Sequence, residues 1–293
     1  MNTAHILASF LLATSLLAQA PPPPTPPAPP AASGDVRTET RVEALKSGSK
    51  LWVKNRNGSI KVTGWDREEV ALRAQIRDTE RRRIQLTVQR KGPDLEIEAV
   101  FQQPGWSLAF GFIPSPKCEM TLNVPQKVLG FFHTTNGTVE VSDLDGYARC
   151  ESTNGDIRLK NIVGEAKAET TNGSIEAKNL RARIKGGTTN GRIYLEDVEG
   201  GVELSTTNGG ITAKNLDGWG EGITLESTNG GIQVELGKAT GDLRAENTNG
   251  GLDVKVPNAQ VVEISKHSAH LKLPGKAQKI SLETTNGGIS IRP

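Results

Sequence analysis

The stretch at residues 169–180 reads ETTNGSIEAKNL, and its core TTNG recurs along the chain with small changes. An Asn-Gly pair between alternating apolar and polar runs is the strongest short-range signal for a two-residue β-hairpin. The spacing of the copies suggests another structure, because successive asparagines are 18 residues apart four times and then 21, 20 and 37 apart. The predicted corner pairs are Asn136-Gly137, Asn154-Gly155, Asn172-Gly173, Asn190-Gly191, Asn208-Gly209, Asn229-Gly230, Asn249-Gly250 and Asn286-Gly287.

Each unit contains two short alternating runs and two bends, which is typical of half-exposed β-strands. An antiparallel meander would leave one wide sheet with an uncovered apolar face, and nothing in the chain looks like a helix that could cover it. A β-solenoid stacks equivalent residues of successive units instead, so that aliphatics after the Gly face small residues of the second run. We therefore predict an all-β fold, a single-chain parallel β-helix with about 18–21 residues per rung, where a rung is one unit of the repeat.

The long step of 37 residues looks like two periods with one degenerate copy. KHSAHLKL aligns with the repeat if His267, Ser268 and Ala269 replace Thr, Asn and Gly. On this interpretation the coil has about nine turns. Stacked asparagines can bond to the asparagine of the next rung as an amide ladder.

The N-terminus predicts export. Residues 1–20 combine an apolar run with an Ala-Gln-Ala cleavage pattern, so we interpret them as a signal peptide, although the segment before the run lacks Lys and Arg. Residues 21–34 form a proline-rich linker. We predict a less regular β region at 35–125 and the regular TTNG coil at 126–293. No later segment is long and apolar enough to span a membrane.

The composition limits the possible functions. Aromatics make up only 4% and the net charge is +2, which indicates a thin core and no electrostatic footprint for nucleic acid. Cys118 and Cys150 could form a disulfide in an exported protein or remain free buried thiols. The loop at 102–117, with Trp106, Phe110 and Phe112, could cap the open end of the coil or form a contact surface.

Several features together resemble a known family. The apolar N-terminus, the early GSIKVTGW with Gly58, the strand EMTLNVP ending at Pro125, and the repeated TTNGxI units are similar to the bacterial DUF4097-type family. Its members are called adhesins, but their function is unknown. The resemblance covers about residues 41–291 and implies a right-handed parallel β-helix on exported or envelope-associated proteins, with no catalytic residues to carry over.

Two groups of residues could carry chemistry. Glu151 with Glu169, and Glu226 with Glu246, would stack in pairs that could bind a cation, or they could lie on a solvated face with nearby Arg149, Lys167 and Arg244. His267 and His270 lie three apart, and on a strand they would point to opposite faces. We predict no catalytic residue, cofactor or metal ligand.

We expect a non-catalytic, exported or cell-envelope scaffold that is periplasmic, envelope-bound or secreted. A polysaccharide-active enzyme and a purely structural spacer are the alternatives. The partner would be a protein or a surface glycan, not nucleic acid. The predicted partner face is the column of threonines that precede the corner asparagines, namely Thr153, Thr171, Thr189, Thr207, Thr228 and Thr248.

Overall fold

The computed structural model describes residues 36–79, 82–102, 115–218 and 221–293. These residues form 22 β-strands and no helix, so none of them lies in a helix that could cross a membrane. The predicted signal peptide, the linker and the central part of the loop with Trp106, Phe110 and Phe112 lie outside the described residues.

Most strands follow the alternation of the sequence, with one side chain buried and the next more exposed. The first eleven are β1 Val36–Ala44, β2 Lys50–Asn57, β3 Ile60–Trp65, β4 Glu69–Arg77, β5 Ile84–Lys91, β6 Asp94–Phe101, β7 Lys117–Pro125, β8 Leu129–Asn136, β9 Val139–Asn154, β10 Ile157–Asn172 and β11 Ile175–Asn190. The others are β12 Ile193–Glu199, β13 Val202–Asn208, β14 Ile211–Asp217, β15 Ile223–Asn229, β16 Ile232–Glu235, β17 Gly241–Asn249, β18 Leu252–Val254, β19 Gln260–Ile264, β20 Ser268–Leu273, β21 Lys279–Asn286 and β22 Ile289–Arg292.

Parallel pairing between rungs builds a two-sided coil. Strands that end at an Asn-Gly corner form the front sheet, and strands that begin after it form the rear sheet. In the middle of the coil the pairing has one register, since Ile157 lies beside Val139 and Ile175, and Asn172 lies beside Asn154 and Asn190. The three long strands β9, β10 and β11 pass through both sheets. The predicted parallel β-solenoid is confirmed.

The core is a narrow layer between the two sheets. The predicted aliphatic columns are buried, for example Ile157 and Leu159 from the rear sheet and Ala166 and Ala168 from the front sheet. Burial of each large aliphatic contributes about 1.5–3 kcal/mol of favourable transfer free energy. Small residues on the front side keep this layer thin, which explains how a chain with few aromatics fills its interior.

Antiparallel strands finish the N-terminal end of the coil. β5 and β6 form a hairpin in which Lys91 lies opposite Asp94, as the sequence predicts. β6 then pairs in parallel with β2, and β2 pairs with β8 so that Asn57 lies beside Asn136. On the rear side, β1 and β7 flank β4 antiparallel to it, and β7 pairs in parallel with β3. These strands cover the first rungs of the coil.

The C-terminal end departs from the order of the sequence. β21 pairs in parallel with β15 on one side and β17 on the other, so that Asn286 lies between Asn229 and Asn249. β22 lies between β16 and β18 in the same way. The last TTNG copy in the sequence is therefore inserted between two rungs that precede it.

The prediction that His267–Ala269 is a degenerate corner is wrong. Ser268 begins β20, which pairs antiparallel with β17 and with β19. Residues 260–273 thus form a hairpin against the last rung, and the step of 37 residues contains no missing copy. Alternation of apolar and polar residues is the same in parallel and antiparallel strands, so the sequence pattern alone could not separate the two.

Candidate functional site

The corner asparagines form one continuous row along the edge of the coil. Asn154 Nδ2 donates to Asn136 Oδ1 at 2.8 Å, and Asn172, Asn190, Asn208 and Asn229 each repeat this bond to the rung before them at 2.8–2.9 Å. The row then follows spatial order: Asn286 donates to Asn229 at 2.8 Å, and Asn249 donates to Asn286 at 3.0 Å. We call these eight residues the Asn ladder.

The glycine after each ladder asparagine is required because the backbones of successive rungs approach closely. A Cβ on Gly155, Gly173 or Gly191 would overlap the carbonyl oxygen of the corner glycine in the preceding rung. In this part of the coil the requirement is close approach, since among the ladder glycines only Gly137 has a positive φ, of 152°. The Asn-Gly pair is thus a stacked corner and not a hairpin turn.

A second, buried column of hydroxyls ties each rung to its neighbour. Thr170 Oγ1 donates to the carbonyl oxygen of Gly155 at 2.9 Å, and Thr188 Oγ1 donates to that of Gly173 at 2.8 Å. The same bond recurs from Thr134, Ser152, Thr206, Ser227 and Thr284. These hydroxyls give the corner carbonyls a hydrogen-bond partner inside the fold.

The predicted partner face is the column of threonines next to these buried hydroxyls, and its side chains point away from the core. Thr171, Thr189, Thr207, Thr228 and Thr248 are exposed, whereas Thr153 is half-buried. They lie between the buried hydroxyls and the Asn ladder, one per rung. Because parallel rungs repeat at about 4.8 Å, these hydroxyls form a regular polar strip along the front sheet.

Sequence reasoning missed a second ladder at the other bend of five consecutive rungs. Asn161 Nδ2 donates to Asp143 Oδ1 at 2.7 Å, and Asn215 Nδ2 donates to Asp197 Oδ1 at 2.6 Å. Together with Asn179 these residues have φ between 51° and 60°, a left-handed conformation that Asn and Asp tolerate better than other non-glycine residues. The signal was present in the sequence as an Asn or Asp seven residues after each of the first five corner asparagines, from Asn136 to Asn208.

The glutamates of the front sheet differ between the middle and the end of the coil. Glu169 pairs with Lys167 at 2.9 Å, and Glu151 pairs with Arg149. At the end, Glu283 lies between Glu226 and Glu246, so the predicted direct pair of Glu226 with Glu246 is wrong. The cause is the inserted C-terminal rung.

These three carboxylates share a shallow concavity of about 650 Å³ with Thr207, Thr228 and His267. Arg244, expected to offset Glu246, pairs with Asp242 at 3.4 Å instead. Glu283 accepts a bond from Ser281 Oγ at 2.9 Å. None of the described residues that line the concavity is a Lys or Arg, so this end of the front sheet is acidic.

The two C-terminal histidines have separate partners. His270 Nε2 lies 2.9 Å from Asp242 Oδ2, and this hydrogen bond lowers the pKa of the Asp242 carboxyl. His267 Nδ1 lies 2.8 Å from Asn247 Oδ1. In the part of the chain that the structure describes, no three His, Cys, Asp or Glu side chains are grouped so that they could hold a metal ion.

Of the two alternatives for the cysteines, the structure has free buried thiols. Cys118 lies on β7 beside Ile76, and Cys150 lies on β9 beside Phe132 and Ala168, so they occupy different strands that do not pair. Burial raises the pKa of the Cys118 thiol to about 12 and also raises that of Cys150. Thiols with raised pKa values are poor nucleophiles at neutral pH.

The whole repeat pattern matches a family model described as Toastrack DUF4097 over residues 48–292. The chain belongs to this family. The match spans both the regular coil and most of the N-terminal strands, so the Toastrack repeat of this chain includes the inserted rung. The resemblance found in the sequence is confirmed.

Two solved structures are distantly similar to this Toastrack chain. One is described as a putative cell adhesion protein from Clostridium sporogenes, with 13% identity, a TM-score of 0.27, and coverage of 87% of this chain and 99% of that chain. The other is a putative adhesin from Bacteroides fragilis, with 13% identity, a TM-score of 0.42, and coverage of 87% and 97%. A comparison with curated proteins found no match.

Proposed function

We propose that this Toastrack chain is a non-catalytic, exported scaffold of the cell envelope that binds a protein or surface glycan along its front sheet. The observation that carries the proposal is the exposed threonine column beside the Asn ladder. Thr189, Thr207 and Thr228 occupy equivalent outward positions on consecutive rungs. A row of hydroxyls at one spacing is suited to a partner with its own repeat, such as an extended glycan or a repetitive protein surface.

The ladders support a scaffold role because they hold this strip rigid. Each middle rung is tied to the next by a ladder amide bond and a buried hydroxyl bond as well as by backbone pairing. Every such bond contributes about 0.5–1.5 kcal/mol net, and the contributions recur along the coil. A binding surface that is already ordered loses little conformational entropy when a partner binds.

The acidic concavity is the observation that favours the second candidate, a polysaccharide-active enzyme. Glycoside hydrolysis generally uses two carboxylates on either side of the bond that is cleaved. Glu226, Glu283 and Glu246 instead follow one another along one column of adjacent strands. This row resembles a continuation of the repeat more than a cleft built around a substrate, so we favour binding without catalysis.

The binding proposal is tested with immobilised envelope polysaccharide and, separately, with an envelope protein fraction. The variant Thr189→Arg with Thr207→Arg places two large cations on the strip and should abolish retention. The matched control, Thr212→Arg with Gln233→Arg, places the same charges on neighbouring outward positions of the rear sheet. Equal retention of both variants would remove the threonine strip as the binding surface.

The enzyme candidate is tested in the same preparations. Release of soluble sugar from the polysaccharide by the unmodified protein, lost in Glu283→Gln, would contradict the non-catalytic proposal. We expect no release from either protein. Glu283→Gln keeps the shape of the side chain and its position beside Ser281, so lost activity would report the missing carboxylate and not a changed fold.

A further inference from the structure

The inserted C-terminal rung, β21 with β22, occupies a slot between two rungs that could pair with each other directly. Ile223 and Leu243 both lie beside Ile280, and Leu225 and Ala245 both lie beside Leu282. The two sides of the slot therefore share one register and one pattern of buried aliphatics. Any segment that fills the slot must pair with β15 and β17 in this register and place aliphatic side chains in the core at the same positions.

The C-terminal rung meets that requirement through contacts on both sides. Asn286 donates to Asn229 at 2.8 Å and accepts from Asn249 at 3.0 Å, which makes the Asn ladder continuous across the slot. Thr284 Oγ1 donates to the carbonyl oxygen of Gly230 at 2.8 Å. The buried Ile280, Leu282, Ile289 and Ile291 complete the core. A second copy of this chain carries the same set of groups.

The connections around the slot cross each other. Residues 236–240 lead from β16 past the slot to β17, and residues 274–278 lead from β20 back across β17 into the slot. They are in direct contact, since Thr240 Oγ1 donates to the carbonyl oxygen of Lys276 at 2.9 Å, and Asp242 N donates to that of Gln278 at 2.8 Å. Crossing connections are rare in proteins.

Glycines make this crossing possible. Gly241 and Gly275 have φ values of 107° and 118°, which residues with a side chain rarely adopt. A Cβ on Gly241 would overlap the backbone of Gln278, and a Cβ on Gly275 would press on Thr240. The five-residue segment 274–278 is thus a short, conformationally demanding hinge. Short hinges of this kind favour exchange of the element that follows them between identical chains.

We propose that the C-terminal rung exchanges between two copies of this chain, each inserting β21 and β22 into the slot of the other. Residues 274–278 are the hinge. Every contact within the slot is kept in the exchanged dimer, while the crossing of the two connections within one chain is relieved. The partner is a second copy because its β21 and β22 match the register and the buried aliphatics on both sides of the slot and follow the same hinge. This inference is independent of the proposed ligand-binding function.

The exchange is tested with two variants of the full chain that each add one exposed cysteine to the buried Cys118 and Cys150, namely Glu226→Cys and Glu283→Cys. These positions are exposed and lie side by side on β15 and β21. Neither variant alone places two new thiols together. When the two are unfolded together, refolded at high concentration and oxidised, exchange should give a disulfide-linked heterodimer of doubled mass, with the 226–283 bond identified by peptide mapping.

The matched control is Glu151→Cys mixed with Glu169→Cys, which occupy the same column on β9 and β10. Those rungs are joined to further rungs on both sides, so their exchange would require the coil to open. We expect several-fold more heterodimer from the first mixture than from the control. Equal yields would overturn the proposal, provided that the double variant Glu226→Cys with Glu283→Cys forms the 226–283 bond. Lengthening the hinge with Gly-Ser-Gly after Gly275 should shift the refolded protein towards monomer.

Discussion

The middle of the coil and its C-terminal end use the same repeat in different ways. In the middle, from Val139 to Asp217, rungs stack in sequence order, and the spacing of 18 residues between hydrogen-bonded asparagines never varies. At the end, the order of rungs in space differs from their order in the sequence, and the ladder bonds join asparagines 57 and 37 residues apart. The bonds themselves are unchanged.

This difference separates what the repeat determines from what it leaves open. The repeat determines how one rung fits against another, through the corner glycine, the buried hydroxyl and the aliphatic column. It does not determine which rung is the neighbour, because all copies offer the same edges. Order is then decided by the connections and by what covers the last rung, here the antiparallel hairpin of β19 and β20.

The largest contrast is expected at the corner glycines. Gly191→Ala should destabilise the protein by about 4 kcal/mol or prevent folding. Its Cβ would overlap the carbonyl oxygen of Gly173, so the backbones of the two rungs would have to move apart. Gly251, which follows the last corner glycine Gly250, has space for a Cβ with nothing within 4 Å, so Gly251→Ala should change stability by less than about 0.5 kcal/mol. Urea unfolding of both variants measures the difference. Similar losses would mean that the corners of the middle are not closely stacked.

Core truncation should show a smaller contrast. Ile193→Ala removes a buried side chain between two neighbouring rungs and should cost about 3 kcal/mol. Leu252 is half-buried on the last rear strand, which pairs with β22 and with no other strand among the described residues, so Leu252→Ala should cost about 1 kcal/mol. Thermal unfolding followed by circular dichroism measures both. A larger loss for Leu252→Ala would reverse the expected difference between middle and end.

The Asn ladder should give a contrast of about twofold. Asn172 both donates to Asn154 and accepts from Asn190, so Asn172→Ala should cost about 1–2 kcal/mol. Asn249 donates to Asn286 and is the last residue of the Asn ladder, so no ladder amide donates to its Oδ1, and Asn249→Ala should cost about half as much. Denaturant midpoints at constant m-value provide the comparison. Equal losses would show that the ladder amides act through the local turn and not through their neighbours.

The smallest effect is a predicted gain. Asn247 occupies the position of the buried hydroxyl column on the last front rung, is 6% exposed, and leaves its Nδ2 without a hydrogen-bond partner. Asn247→Thr should place a hydroxyl near the carbonyl oxygen of Gly287 and stabilise the protein by about 0.5–1 kcal/mol. The gain is limited because the contact with His267 is lost. A lower melting temperature for this variant would mean that the histidine contact is the more important one.

Much of the fold could be predicted from the sequence because the repeat is local. The period of 18 residues, the buried columns such as Ile157 and Leu159, and the hairpin at Lys91–Asp94 all follow from alternation and turn chemistry. The order at the C-terminal end could not be predicted, since the copies at Asn229, Asn249 and Asn286 follow the same pattern. The row of three glutamates was missed for the same reason, because it exists only once Glu283 is inserted.

The central claim is the order of the last three rungs, and disulfide formation between equivalent glutamate positions tests it most directly. The double variants Glu226→Cys with Glu283→Cys, and Glu283→Cys with Glu246→Cys, place thiols on adjacent strands and should oxidise readily. Glu226→Cys with Glu246→Cys places them two strand spacings apart, about 9.6 Å, beyond the roughly 7 Å that a disulfide can bridge. Peptide mapping should find the first two bonds and not the third. A 226–246 bond without a 226–283 bond would show that the rungs stack in sequence order and contradict the inserted rung.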